Sequence, residues 1–105
     1  MEKNKNDKQN YVYILECEDS TYYTGWTNDM KKRFNMHIEG KGAKYTKNKK
    51  PVRIIYIEKC EDKSSALKRE MAIKKMTKLN KIKLVLESEK ESNNIISCIF
   101  YDNMI

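Results

Sequence analysis

The chain is poor in the residues that staple or anchor a protein. Its three cysteines, Cys17, Cys60 and Cys98, stand far apart and form no C-x-x-C pair. That argues against a disulfide framework and against a zinc site, and it suits free thiols in a reducing cytoplasm. No apolar run approaches the ~20 residues of a membrane span. The opening MEKNKNDKQN lacks the apolar middle that secretion needs. A cytoplasmic protein with no membrane partner is expected. There is one histidine, His37, and one proline, Pro51. The sequence has no Gly-rich phosphate loop, and no serine or thiol nucleophile is paired with a base.

Charge is abundant. Charged residues make up 35% of the 105 positions and apolar ones 39%, which bounds the chain to one hydrophilic domain with a modest core. The net charge of +7 is uneven. Residues 27–53 carry nine basic and two acidic side chains, and residues 63–83 carry eight and one. The segments around these two blocks are acidic. Two basic blocks point to a cationic face, for which phosphate backbones are the usual partner. A solvated lysine-rich surface would leave the same trace.

Residues 1–10 read as a disordered leader. Tyr11 to Glu16 predicts a strand, with Tyr11, Tyr13 and Leu15 on one face and Val12 and Ile14 on the other. Glu18, Asp19 and Ser20 have turn chemistry, and Thr21 to Trp26 returns as the second strand of a hairpin. Tyr13 and Tyr23 share a face only if paired residue numbers sum to an even value, which the sequence leaves open. A helix is expected after Thr27 or Asn28 as cap, with Asp29 in its first turn. Its apolar stripe is Met30, Phe34 and Ile38, with His37 inside the stripe, Arg33 on its shoulder and Gly40 as the stop. A basic loop from Lys41 to Lys50 follows, closed by Pro51. Val52 to Glu58 is β-branched and predicts a third strand. Helices are expected over roughly Ser64–Met76 and Leu79–Leu86. Residues 87–105 read as a polar linker, ESEKESNN, and an apolar tail, IISCIFYDNMI, that could add a strand, cover the core or be incidental.

One position breaks its pattern. Ala66, Leu67 and Ile73 define the apolar face of the second helix, and Glu70 falls inside it. A carboxylate there needs a partner, because unpaired burial of a polar group costs several kcal/mol. Arg33 and His37 lie one turn apart on their own helix, so one Arg, one His, one Glu and two Tyr can meet at the sheet edge. The set has the parts for metal-assisted phosphodiester hydrolysis: Glu70 for a divalent cation, Arg33 for charge developing on phosphate, and His37 or a tyrosine to accept a proton. A buried Arg33–Glu70 ion pair and a satisfied core histidine are the alternative reading.

The order Tyr11-Val12-Tyr13, Tyr23-Thr24-Gly25, Arg33, His37 and a later helical glutamate resembles the GIY-YIG nuclease superfamily. HIEGKGAKYT, EDKSSALKRE and KKMTKLNKIKLV look like its small stand-alone bacterial members. The two name-giving triplets read YVY and YTG here, keeping the tyrosines and the glycine. The resemblance, over residues 11–86, implies an α/β (α+β) fold in which a three-stranded antiparallel sheet is flanked by about three helices. It implies a site holding one divalent ion, Mg²⁺ or Mn²⁺, that cleaves one DNA strand by in-line attack of water. By position, Tyr13 matches a proposed general base, and Tyr23 a residue that orients water or phosphate. Arg33 matches the transition-state arginine, His37 an assistant to proton transfer or phosphate binding, and Glu70 the sole protein ligand of the metal. Gly25 is expected to permit close backbone approach.

The chain is therefore expected to be a metal-dependent endonuclease of low sequence specificity, acting on DNA, branched or damaged forms included, in repair or recombination. Lys41, Lys44, Lys47, Lys49 and Lys50 of the basic loop are its expected DNA contacts. The alternative is a nucleic-acid-binding module without catalysis.

Overall fold

The computed structural model describes residues 9–42 and 49–101. Three strands, β1 (Asn10–Cys17), β2 (Tyr22–Thr27) and β3 (Pro51–Cys60), form one antiparallel sheet in the order β2-β1-β3. Four helices are present among the described residues: α1 (Met30–Ile38), α2 (Lys63–Lys74), α3 (Lys78–Glu87) and α4 (Glu89–Tyr101). None of them is long and apolar enough to cross a membrane.

Alternation along β1 sorts the core into two layers. Val12 and Ile14 face α2 and α3, where they pack with Tyr56, Ala66 and Ile73. Tyr13 and Leu15 face the other way, onto Met30 of α1, Ile57 of β3 and the partly buried Ile95, Ile96, Ile99 and Phe100 of α4. The β1–β2 register pairs Tyr13 with Gly25 and Leu15 with Tyr23, so paired numbers sum to an even value and both tyrosines lie on the α1 side. Between β1 and β3 the register shifts after Ile14, which pairs with Tyr56 while Leu15 pairs with Ile54. A bulge of this kind turns two successive side chains to one face, and Ile55 and Tyr56 both join the α2–α3 layer.

The helices start where local chemistry satisfies their first N–H groups. Asp29, rather than Thr27 or Asn28, is the N-cap of α1 and accepts from Lys32 N at 3.2 Å. Thr27 braces that cap by accepting from Asp29 N at 3.0 Å. Asp62 caps α2 through Ser65 N at 2.8 Å, and Thr77 caps α3 through Asn80 N at 3.1 Å. Helix α1 stops as expected at Gly40, whose φ of +78° lets Lys41 N reach the Met36 carbonyl at 2.8 Å and Gly40 N the His37 carbonyl at 3.1 Å.

Three further expectations are corrected. Ile38 is 41% exposed, and His37, fully buried, takes its place beside Met30 and Phe34 on the inner face of α1. Leu67 is 37% exposed, because Ala66 and Ile73 occupy the inner face of α2. The stretch read as a polar linker is helical from Glu89 onward, and α4 covers the core instead of extending from it. Its buried Ser92 explains the docking: Ser92 Oγ accepts from Ile57 N at 3.2 Å and donates to Ile57 O at 3.4 Å, satisfying backbone groups at the outer edge of β3. Phe100 meets Phe34 of α1 edge-to-face at 5.9 Å between ring centroids.

Candidate active site at the β2 edge

The site begins with a missing side chain. A Cβ at Gly25 would lie 2.6 Å from Tyr13 Oη, 2.8 Å from Tyr13 Cζ and 3.1 Å from Tyr23 Cε2. Glycine at this position therefore lets the Tyr13 ring pass across β2, carrying its hydroxyl from the central strand toward the outer edge of the sheet. There Tyr13 Oη meets His37 Nε2 of α1 at 2.9 Å. The His37 ring stands edge-on to Tyr13 at 5.8 Å and tilted against Tyr23 at 5.3 Å, and the two tyrosines are 6.3 Å apart. A second glycine closes this cluster. A Cβ at Gly42 would fall 2.3 Å from His37 Nδ1, so the chain leaving α1 packs directly against the imidazole.

Burial divides the five expected residues into two groups. Tyr13 and His37 are fully buried. Tyr23, Arg33 and Glu70 are only partly so. Burial pushes the Tyr13 phenol well above its ordinary range; hydrogen bonding to Arg33 opposes this, and the charge of Glu70 adds to it. Burial, reinforced by the Arg33 guanidinium, lowers His37 to about 4, so its imidazole is neutral near pH 7. Burial also works against the charge of Arg33, yet hydrogen bonding to Tyr13 and Tyr23 outweighs it and raises the guanidinium's pKa. Arg33 thus stays cationic between the two phenols.

Glu70 comes to the same edge from the other face of the sheet. With Ala66 and Ile73 buried, a rotation of about 100° per residue puts Glu70, Lys63 and Lys74 on one flank of α2 and Arg69 on the other. Arg69 Nε bonds Glu58 Oε1 of β3 at 2.8 Å, whereas Lys63 Nζ sits 5.4 Å from the ring centroid of Trp26 on β2. The Glu70 flank is therefore the β2 side. Its side chain is 13% exposed and pairs with Lys74 Nζ at 3.2 Å. The alternative reading, a buried pair with Arg33, gives way to this local one.

A divalent ion fits this donor set in a specific way. No cluster of three or more His, Cys, Asp or Glu exists among the described residues, so among them Glu70 lacks the company of a full set of protein ligands. Mg²⁺ tolerates that, because it dehydrates reluctantly and keeps water and phosphate as its other ligands. A buried acceptor lies on the same face: the Thr24 hydroxyl of β2 has no hydrogen-bond partner among the described residues, and its side chain points to the α2 side, opposite Tyr23 and Gly25.

The basic loop is reached only in part. Lys44 and Lys47 lie outside the described residues. Lys49 Nζ is bonded to Asp19 of the β1–β2 turn. Lys41 is exposed, 4.0 Å from Glu39, and Lys50 is exposed. Sequence reasoning missed two contributors. Lys74 was legible, standing four residues after Glu70 on a helix. Gly42 was not, because its contact with His37 depends on how the chain leaves α1.

Residues 9–83 match the GIY-YIG catalytic domain. The chain belongs to that family. The GIY-YIG domain is a nuclease domain whose substrates are, in general, nucleic acids. The chain is 49% identical over 81 residues to a UPF0213 protein of Syntrophus aciditrophicus, spanning 76% of this chain and 93% of that one. It is 49% identical over 85 residues to a UPF0213 protein of Clostridium perfringens, spanning 80% and 91%. Among solved structures it resembles the solution NMR structure of a UPF0213 protein of Bacillus halodurans, with TM-score 0.53 and 36% identity over 85% of this chain and 95% of that one. A protein of E. faecalis, also solved by solution NMR, gives TM-score 0.52 and 39% identity over 77% and 88%. Helix α4 lies beyond the stretch that matches the GIY-YIG domain.

Proposed function

We propose that this GIY-YIG protein is a metal-dependent endonuclease that hydrolyses DNA phosphodiester bonds with little sequence preference, branched or damaged DNA included, in repair or recombination. One observation carries the reading: Tyr23, Arg33 and Glu70 converge from a strand and two helices on one partly exposed edge, backed by a buried Tyr13–His37 hydrogen bond. Free thiols at the buried Cys17 and Cys60 suit a cytoplasmic setting.

In this mechanism burial decides the division of labour. Tyr13 is a poor proton acceptor for water, being sealed from solvent and raised in pKa. Tyr23 faces the edge, so we assign the attacking water's proton to its phenolate form, which becomes the neutral phenol, with the Arg33 cation beside it as counter-charge to the phenolate. Arg33, fixed between two phenols, also faces charge building on the phosphoryl oxygens. Tyr13 and His37 position Tyr23 and Arg33 from behind. Glu70 would hold one Mg²⁺ or Mn²⁺, whose chemistry there is to polarise phosphate and acidify water. Lys74 would exchange its pairing with Glu70 for the substrate. Lys41, Lys44, Lys47, Lys49 and Lys50 are proposed to add phosphate contacts.

The competing reading is a nucleic-acid-binding module without catalysis. It is favoured by the Lys74 ammonium, which already neutralises Glu70. Nicking of supercoiled plasmid in Mg²⁺ or Mn²⁺ separates the two: cleavage supports the nuclease, and salt-dependent binding without cleavage supports the module.

A further inference from the structure

The second basic block, residues 63–83, enters the mechanism above only through Glu70 and Lys74, yet the fold organises more of it. Helix α2 runs against β2 so that the N-terminus of α2 lies at the end of β2 and the N-terminus of α3 lies at its start. Lys63 Nζ is held over the Trp26 ring at 5.4 Å. Lys78 Nζ is held over the Tyr22 ring at 4.2 Å and donates to the Ser20 carbonyl at 2.7 Å. Between them Lys74 Nζ is held by Glu70 at 3.2 Å. Tyr22 and Trp26 lie four residues apart on the same face of an edge strand, about 13 Å at the usual rise per residue.

We infer that Lys63, Lys74 and Lys78 form a fixed cationic track along β2 that takes the phosphodiester backbone of a nucleic acid strand on both sides of Glu70. Lysines on a merely solvated face sample many rotamers. Each of these three is held by a specific partner, two of them by aromatic rings that belong to residues packed on the core. The cations are therefore placed before the ligand arrives, and less ordering remains for binding. Charge complementarity selects a polyanion, and the linear spacing along an extended strand selects a polymer backbone over a small anion. None of the three groups reads a base edge, so the track contributes affinity and register rather than sequence preference.

The inference rests on the nuclease reading for the identity of its ligand, but its test does not require cleavage. Binding of a fluorescein-labelled DNA duplex is measured by anisotropy across a salt series in EDTA. Log affinity against log salt is expected to lose about 0.9 of its slope for each phosphate contact removed. Lys63→Gln with Lys78→Gln should therefore flatten the slope by about 1.8, while Lys90→Gln on α4 leaves it unchanged. Trp26, the single tryptophan, should change its emission when DNA engages Lys63. A double variant with the wild-type slope, or Trp26 emission indifferent to DNA, overturns the track. A protein that nicks plasmid but keeps that slope loses the track and retains the nuclease; one that shows the slope change without nicking does the reverse.

Discussion

The Tyr13 hydroxyl and His37 Nε2 stand 2.9 Å apart, and both side chains are fully buried. This bond ties the central strand to α1, and both tyrosines act on the charge of Arg33 on the same helix. The buried pair therefore sets where the reactive edge lies without itself meeting solvent. Tyr13→Phe should leave Nε2 short of its partner and destabilise the fold by about 1–3 kcal/mol. Tyr23→Phe should leave stability close to wild type and abolish cleavage. Urea unfolding beside a nicking assay checks both, and a Tyr13→Phe protein as stable as wild type would contradict the assignment.

Gly25→Ala places a methyl 2.6 Å from Tyr13 Oη, and Gly42→Ala places one 2.3 Å from His37 Nδ1. Overpacking of this kind costs about 1–3 kcal/mol. Thermal unfolding should show both losses, and the Tyr13 and His37 ring resonances should shift in each variant. Gly40→Ala, at positive φ with open space around it, should cost backbone strain yet leave those resonances in place.

The single histidine makes a clean pH probe. Its native pKa, lowered to about 4 by burial and by Arg33, lies below the ordinary value near 6.5. The unfolded chain then binds more protons than the native one between those values, so stability rises with pH across that window. The contribution is complete above about pH 6.5 and is lost as pH falls through about 4. An NMR titration of the His37 Cε1–H in the folded protein should show no protonation at pH 6. A midpoint near 6.5 would contradict the burial.

Helix α4 should be needed to hold α1. Phe100→Ala removes the ring that meets Phe34, and a half-buried phenylalanine should cost on the order of 2 kcal/mol, below the range for full burial. Ser92→Ala strips Ile57 N–H and C=O of their partner and should cost about 1–3 kcal/mol. Hydrogen exchange in β3 should speed up in Ser92→Ala. Unchanged protection there would mean that α4 is dispensable.

The alternation of β1 and the misplaced carboxylate on α2 made the sheet faces and Glu70 legible in the sequence. What stayed hidden depends on long-range geometry. The parity of the β1–β2 register is fixed by the turn at Glu18–Ser20, where Ser20 takes a positive φ that its residue type does not announce. The burial of Tyr13 follows from that parity together with the cover of α4. That helix reads as a linker because ESEKESNN is polar, and the buried member of the stretch is Ser92, which hydrogen-bonds a strand edge instead of joining an apolar stripe. His37 lies on the inner face of α1 as the pattern predicts, packed against Tyr13 and Tyr23, while Ile38, of the same predicted stripe, is turned outward.

The most direct test of the nuclease assignment is nicking of supercoiled plasmid by wild type, Glu70→Ala and Arg33→Ala, with Mg²⁺ or Mn²⁺ and again in EDTA. Wild type should convert supercoiled to open-circular DNA only when metal is present. Each substitution should lower the rate about 100-fold or more, the scale for removing one transition-state contact. Equal nicking by all three proteins would contradict the site.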